Sequence, residues 1–210
     1  MNALTRSRRA VLAAIALGTS AGLLLPVSAA EAGRPAAVAL NPAPPDFYSC
    51  TPNGAGTYCS GETSDTYGPD PSGIVCGSGA TAFEVLDQAV HTVSAERWYD
   101  RDGNIVKRQR VNVFDDAILS SPAGVEVPYS QRDSDTDVFP IPGDITFGTT
   151  YSNSSMRATV PGLGAVLVEK GRLVWGEDNG LEKEAGRHEL TDYFMGDASA
   201  FDRLCAALGA

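Results

Sequence analysis

Apolar residues along this chain fall mostly into short runs with a period of two, the signature of half-buried β-strands. Thr81 to Tyr99 is the longest. Phe83, Val85, Ala89 and Val93 share one parity and Leu86, Val90 and Trp98 the other, which predicts a bend or bulge where the strand changes faces. Ile105 to Phe114 resumes the alternation after Asp100-Arg-Asp-Gly103-Asn104. An Asp-Gly pair between two such runs predicts a hairpin, because Gly103 reaches positive φ without steric cost. Shorter strands are expected over Gly124–Tyr129, Asp144–Tyr151, Ser155–Val160, Ala165–Glu169 and Arg172–Trp175, with tight turns at Gly171 and Asn179-Gly180.

The end of the chain changes period. Phe201, Leu204, Cys205 and Leu208 lie at i, i+3, i+4 and i+7, and Ser199-x-x-Asp202 reads as a capping box that starts this helix. The pattern predicts an all-β fold: an antiparallel small barrel or sandwich with one C-terminal helix, stabilised by disulfides.

The first segment has a different purpose. Arg6, Arg8 and Arg9 precede an apolar run from Ala10 to Leu25, followed by the small residues Val27 to Ala32. This is a secretory signal over residues 1–32, with cleavage expected before Ala30 or before Gly33. The run falls short of the roughly 20 apolar residues a membrane span needs, and Gly18, Thr19, Ser20 and Gly22 weaken it further. No membrane insertion is expected after cleavage. Ser7-Arg8-Arg9 resembles a twin-arginine signal, so either that route or the general secretion route would deliver the protein outside the cell. Residues 33–46 form a Pro/Ala-rich tether, residues 47–79 a disulfide-pinned irregular segment rich in Gly, Ser, Thr and Pro, and residues 80–210 the β domain.

The net charge is −10. Such acidity repels phosphate backbones and argues against nucleic-acid partners. Four cysteines, Cys50, Cys59, Cys76 and Cys205, suit an oxidising exterior. Of three connectivities, Cys50–Cys59 and Cys76–Cys205 are preferred, because the first pair brackets a turn and the second joins the first strand of the β domain to its last helix.

Candidate chemistry is sparse. Gly18-Thr-Ser-Ala-Gly22 matches a nucleophile elbow only inside the signal, without the strand–turn–helix context. Two histidines, His91 and His188, have no marked serine partner. Pro161-Gly-Leu-Gly164 lacks the lysine of a phosphate loop. Asp133, Asp135 and Asp137 resemble positions 1, 3 and 5 of an EF-hand loop, with Asp144 at position 12, and so define a weak Ca²⁺ candidate. Val138 replaces the turn glycine, and Pro140 and Pro142 interrupt the loop, so a solvated acidic loop is the simpler reading and no cofactor is expected. Trp98, Tyr99 and Trp175 are candidates for a sugar-stacking platform. The expected role is a non-catalytic extracellular or cell-envelope binding domain, with cell-wall polysaccharide or another envelope protein as its partner. The competing reading is an extracellular hydrolase with paired carboxylates.

Several features carry a resemblance: Cys76, the Trp98-to-Ile105 hairpin, Pro161-Gly-Leu-Gly-Ala-Val-Leu-Val168 leading to Gly171-Arg-Leu173, and Phe201-Asp-Arg-Leu-Cys205-Ala-Ala-Leu208. Over residues 74–208 the layout resembles a loose group of actinobacterial exported proteins of unknown function, and thirteen Arg against three Lys agree with a GC-rich genome. The resemblance implies a compact β domain and no activity. If the signal is cut as expected, amino-terminal sequencing of the secreted protein will begin at Ala30 or Gly33.

Overall fold

A strand hides the polar backbone only if both its edges find partners, and this chain solves the problem by adding each strand beside the one before. The computed structural model describes residues 38–209. The expected signal and the start of the expected tether lie outside them. Eight antiparallel strands follow in sequence order: β1 (Tyr48–Asn53), β2 (Gly56–Cys76), β3 (Phe83–Tyr99), β4 (Ile105–Ser120), β5 (Glu126–Val138), β6 (Thr149–Val160), β7 (Gly164–Trp175) and β8 (Leu181–His188). Two short helices, α1 (Glu189–Phe194) and α2 (Asp202–Ala207), end the chain, joined by a 3-10 turn at Ala198–Phe201. The expected all-β architecture with a C-terminal helix is therefore present, as a single curled sheet.

The curl comes from bulges. Between Gln88/Val90 on β3 and Asp115/Ile118 on β4 the register slips by one residue, and the same stretch of β4 slips against β5 between Phe114 and Ala117. Asp116 sits there at φ 50°. The face switch expected in the first long strand thus falls on β4, while odd positions of β3 keep to one face. Extra residues on one strand bend and twist it locally.

Bending brings distant strands around one core. Ile74 and Cys76 of β2, Val85 of β3, Leu119 of β4, Val127 of β5, Ala158 of β6 and Leu167 of β7 are buried together with Phe201, Leu204 and Leu208. The helical face read from the sequence is the face that packs. Two ties close this end: the Tyr193 hydroxyl accepts from the Val75 N–H at 2.9 Å, and Cys76 is bonded to Cys205. The second predicted disulfide, Cys50–Cys59, joins residues directly opposite in the β1–β2 hairpin.

Several local expectations differ. Residues 47–79 contain β1 and β2, the latter 21 residues long, in place of an irregular segment. Its Gly, Ser, Thr and Pro mark an exposed edge, because β1 pairs β2 only as far as Gly61. Beyond it, Pro69 and Pro71 withhold N–H donors and the register shifts twice, devices that discourage pairing with another chain. Gly171 lies inside β7, where a Cβ would meet the Ala185 carbonyl oxygen at 2.1 Å, so the residue serves close approach of β8 and makes no turn. The strand expected from Asp144 starts only at Thr149. Ser199 does not cap the helix as an acceptor: its hydroxyl donates to Asp197 at 2.7 Å, and Asp197 accepts the Ser199 N–H.

The Cys76–Cys205 bridge spans 129 residues, and removing it by Cys76→Ala/Cys205→Ala should lower unfolding free energy by about 5 kcal/mol on the chain-entropy model. The double variant of Cys50 and Cys59, a span of 9 residues, should lose roughly half as much. Urea denaturation checks both.

Candidate functional site

Residues paired across an antiparallel sheet share a face, so the register sorts the inner face into rows. The rows nearest α2 are apolar, as above. At the opposite end Cys59, Tyr99, Ile105 and Phe139 form a second buried cluster, with Leu40 and Tyr48 packed on it. Here the N-terminal segment crosses the sheet. The Asn41 N–H donates to the Gly103 carbonyl at 2.8 Å, and the Tyr99 hydroxyl donates to the Pro42 carbonyl at 2.9 Å. The inner face thus has a strap at one end and helices at the other.

Between the covers the rows are mostly small or polar, with Val93, Ala95 and Leu173 as their apolar members. One runs Thr63, Val93, Asn112, Asp133, Ser154, Gly171, Gly186 from β2 to β8. The next runs Gly61, Ala95, Arg110, Asp135, Ser152, Leu173, Glu184. Together they floor a trough. Its order comes from a hydrogen-bond ladder along β5. Ser154 donates to Asp133 at 2.5 Å, Ser152 to Asp135 at 2.6 Å and Thr150 to Asp137 at 2.7 Å. From the other side Gln131 Nε2 donates to Asp133 and Arg108 Nε donates to Asp137 at 2.7 Å. Arg110 pairs more loosely with Asp135 and Asp137, at 3.4 and 3.6 Å.

This ladder gives the four candidate Ca²⁺ ligands a different arrangement from an EF-hand loop. Successive inward positions of a strand lie about 6.6 Å apart, so Asp133, Asp135 and Asp137 point along a line and do not converge on one ion. Asp144 belongs to a separate turn, where the Thr146 hydroxyl and N–H hold its carboxyl below the usual range. Among the described residues no group of three or more His, Cys, Asp or Glu is arranged to hold a metal ion.

The aromatic platform also dissolves. Trp98 and Tyr99 are adjacent on β3 and so face opposite sides of the sheet. Trp98 lies on the outer face beside Tyr58, ring centroids 5.5 Å apart, with the Lys107 ammonium 4.4 Å above it. Tyr99 is buried beneath the strap. Trp175 is opposite Thr150 at the far end of β7.

At the helix side of the trough a cavity of about 180 Å³ is lined by Gln131, Asp133, Asp135, Ser154, Glu169 and Thr191, among others. Burial pushes the Asp133 carboxyl up, and the nearby charges of Asp135 and Glu169 add to it, against the Ser154 and Gln131 hydrogen bonds. Glu169 is saturated. Its carboxylate accepts from His188 Nδ1 at 2.7 Å, the Thr191 hydroxyl at 3.0 Å, and the N–H groups of Leu190 at 2.9 Å and Thr191 at 3.2 Å. His188 is fully buried, and its Nε2 faces the Ala185 carbonyl at 3.2 Å. His91 stacks on Phe114, centroids 4.4 Å apart, and contacts Asn112. Neither imidazole faces a serine hydroxyl; His188 is a buried partner of Glu169, and His91 lies in the row beside the trough floor.

No protein-family model, curated protein or solved structure matches this chain. The site rests on its own geometry. Arg108, Arg110, Ser152, Ser154 and Glu169 were not singled out from the sequence, although charges and hydroxyls at alternate positions in three successive strands carry the signal.

For His188, desolvation presses the pKa down, but the hydrogen bonds to Glu169 and Ala185 and the charges of Glu169 and Glu184 outweigh it and raise it above the ordinary 6.5. Its stabilising effect is therefore complete below about pH 6.5 and is lost as pH rises through the higher folded-state value. The difference in Tm between the native protein and His188→Gln should be larger at pH 5.5 than at pH 9, measured by thermal denaturation.

Proposed function

We propose that the protein is a secreted or cell-envelope binding domain, without chemistry of its own, whose binding surface is the polar trough. The observation that carries this reading is the line of Asn112, Asp133, Ser154, Arg110, Asp135 and Ser152 between two buried apolar clusters. A sheet face that only needed covering would continue the Val, Leu and Phe of its ends. Instead it presents donors and acceptors already fixed by mutual hydrogen bonds on rigid strands, the preorganisation a recognition surface needs. Disulfides of the kind extracellular proteins carry support the location, as does the signal. No helix among the described residues is long and apolar enough to cross a membrane. Hydroxyl-rich polymer suits a floor of Asn, Asp, Ser and Arg, so cell-wall polysaccharide is the favoured partner and an envelope protein the other.

One observation favours a second reading. Asp133, with its raised pKa, shares a cavity with Glu169, which a carboxylate hydrolase could use as general acid and partner. The full occupancy of Glu169 weighs against it.

Mature protein incubated with isolated cell wall and insoluble polysaccharides should be retained, equally with and without Ca²⁺. Asn112→Leu should weaken retention by about two- to tenfold, the worth of one neutral hydrogen bond, with unchanged circular dichroism. Recovery entirely in the unbound fraction would sink the binding reading. Release of reducing ends that disappears in Asp133→Asn would replace it with the hydrolase.

A further inference from the structure

Three arginines on two adjacent strands stand at the strap side of the trough: Arg110 in its floor, and Arg97 and Arg108 in the next row. Arg97 of β3 is directly opposite Arg108 of β4, and Ala95 is opposite Arg110. Like charges in direct opposition destabilise a sheet, so their neighbours must compensate. They do so unequally. Arg108 makes a short charge-assisted bond to Asp137 at 2.7 Å. Arg110 reaches carboxylates only at 3.4 and 3.6 Å. Among the described residues Arg97 reaches only neutral oxygens, the Ala43 carbonyl and the Tyr99 hydroxyl, both at 3.4 Å, with its guanidinium 5.0 Å from the Tyr48 ring centroid. Charge-assisted N–H···O bonds are normally about 2.7–2.9 Å long. In both Arg97 and Arg110 the Nε is buried with no hydrogen-bond partner among the described residues.

The carboxylates cannot make up the shortfall. Asp137 already accepts from Thr150 and Arg108, and Asp135 from Ser152 at 2.6 Å. Arg97 and Arg110 are diagonal neighbours, roughly 7–8 Å apart along the sheet, and Ala95 beside them adds little bulk. Two guanidinium forks at that spacing can close on one oxyanion and gain bonds their resting arrangement leaves unmade.

We propose that Arg97 and Arg110 bind an oxyanion carried on a hydroxyl-rich chain, so that the ligand of the trough is an acidic glycan or a related anionic polymer. This rests on the trough being the binding surface. The acidity of the whole chain does not oppose it at physiological salt, where charges more than about 8 Å away are largely screened. Asp135 competes with the ligand for Arg110, which gives the proposal a distinctive consequence: removing that carboxylate strengthens binding.

The test is calorimetric titration of mature protein with a tetramer of β-linked glucose, a tetramer of β-linked glucuronate and an oligomer of glycerol phosphate. At least one anionic oligomer should bind about tenfold or more tightly than the neutral one, as one charged hydrogen bond would provide. Which of the two binds separates carboxylate from phosphate as the source of the oxyanion. Arg97→Gln and Arg110→Gln should each abolish the preference, and Asp135→Asn should increase it. Denaturation midpoints of the three variants verify that they fold, and native-protein titrations in rising salt should show the preference fading. Equal binding of neutral and anionic oligomers, or a preference that survives both arginine substitutions, overturns the proposal and leaves the trough reading standing. Failure of every oligomer to bind overturns both.

Discussion

The carboxylate of Glu169 is the joint on which the inner face depends. It stands on β7, receives His188 from the end of β8, and takes the first free N–H groups of α1. Helix starts leave such donors unpaired and favour a negative charge beside them. One buried anion therefore ends the sheet, starts the helical segment and sets its direction. Glu189, which follows His188 in the chain, repeats the device: one oxygen faces Arg187 and Arg203 and the other accepts the Val168 N–H. From this turn α2 reaches back over the apolar rows, and Phe201, Leu204 and Leu208 fill them. Without the turn, six strands would present their apolar ends to water.

The other end is built on the same logic with different parts. There the strap, held by backbone bonds at Asn41 and by the Tyr99 hydroxyl, covers the smaller cluster. Each cover adjoins one disulfide. Neither crosses the middle of the sheet, and in that uncovered stretch the inward residues change from apolar to polar while the strands run on unbroken. Along β5 the inward positions are Val127, Tyr129, Gln131, Asp133, Asp135 and Asp137, a gradient within a single strand. The trough is a consequence of covering a long sheet with two short covers, and its polarity is what keeps that exposure tolerable.

The gradient explains what could be read from the sequence and what could not. Period-two alternation, the Asp-Gly hairpin, the helical face at Phe201 to Leu208 and both disulfides were legible because each depends on neighbours close along the chain or on cysteine number. The segment from residue 47 to 79 was misread because edge strands carry the composition of loops: Pro69 and Pro71 serve the edge and say little about the interior. Asp-Ser-Asp-Thr-Asp reads from sequence as an acidic loop with an ion site as the lesser alternative, because carboxylates at alternate positions fit a loop, an ion-binding turn and one face of a strand alike. Only the partners opposite, Ser152 and Arg110 among them, distinguish these, and those lie 17 and 25 residues away from Asp135. Trp98 and Tyr99 failed as a pair for an elementary reason, since neighbours on a strand cannot share a face.

The two disulfides also differ in when they can close. Cys50 and Cys59 stand opposite one another in the first hairpin, 9 residues apart, and require only that hairpin to meet. Cys76 and Cys205 are separated by 129 residues and meet only when the last helix has docked beneath a sheet that is already curled. Loop-closure entropy favours the short encounter. Four thiols admit three pairings, but once the hairpin has oxidised a single pairing remains. The local bridge thus acts as a sorting step that commits the distant one, and the chain can reach its cross-linked form without reshuffling.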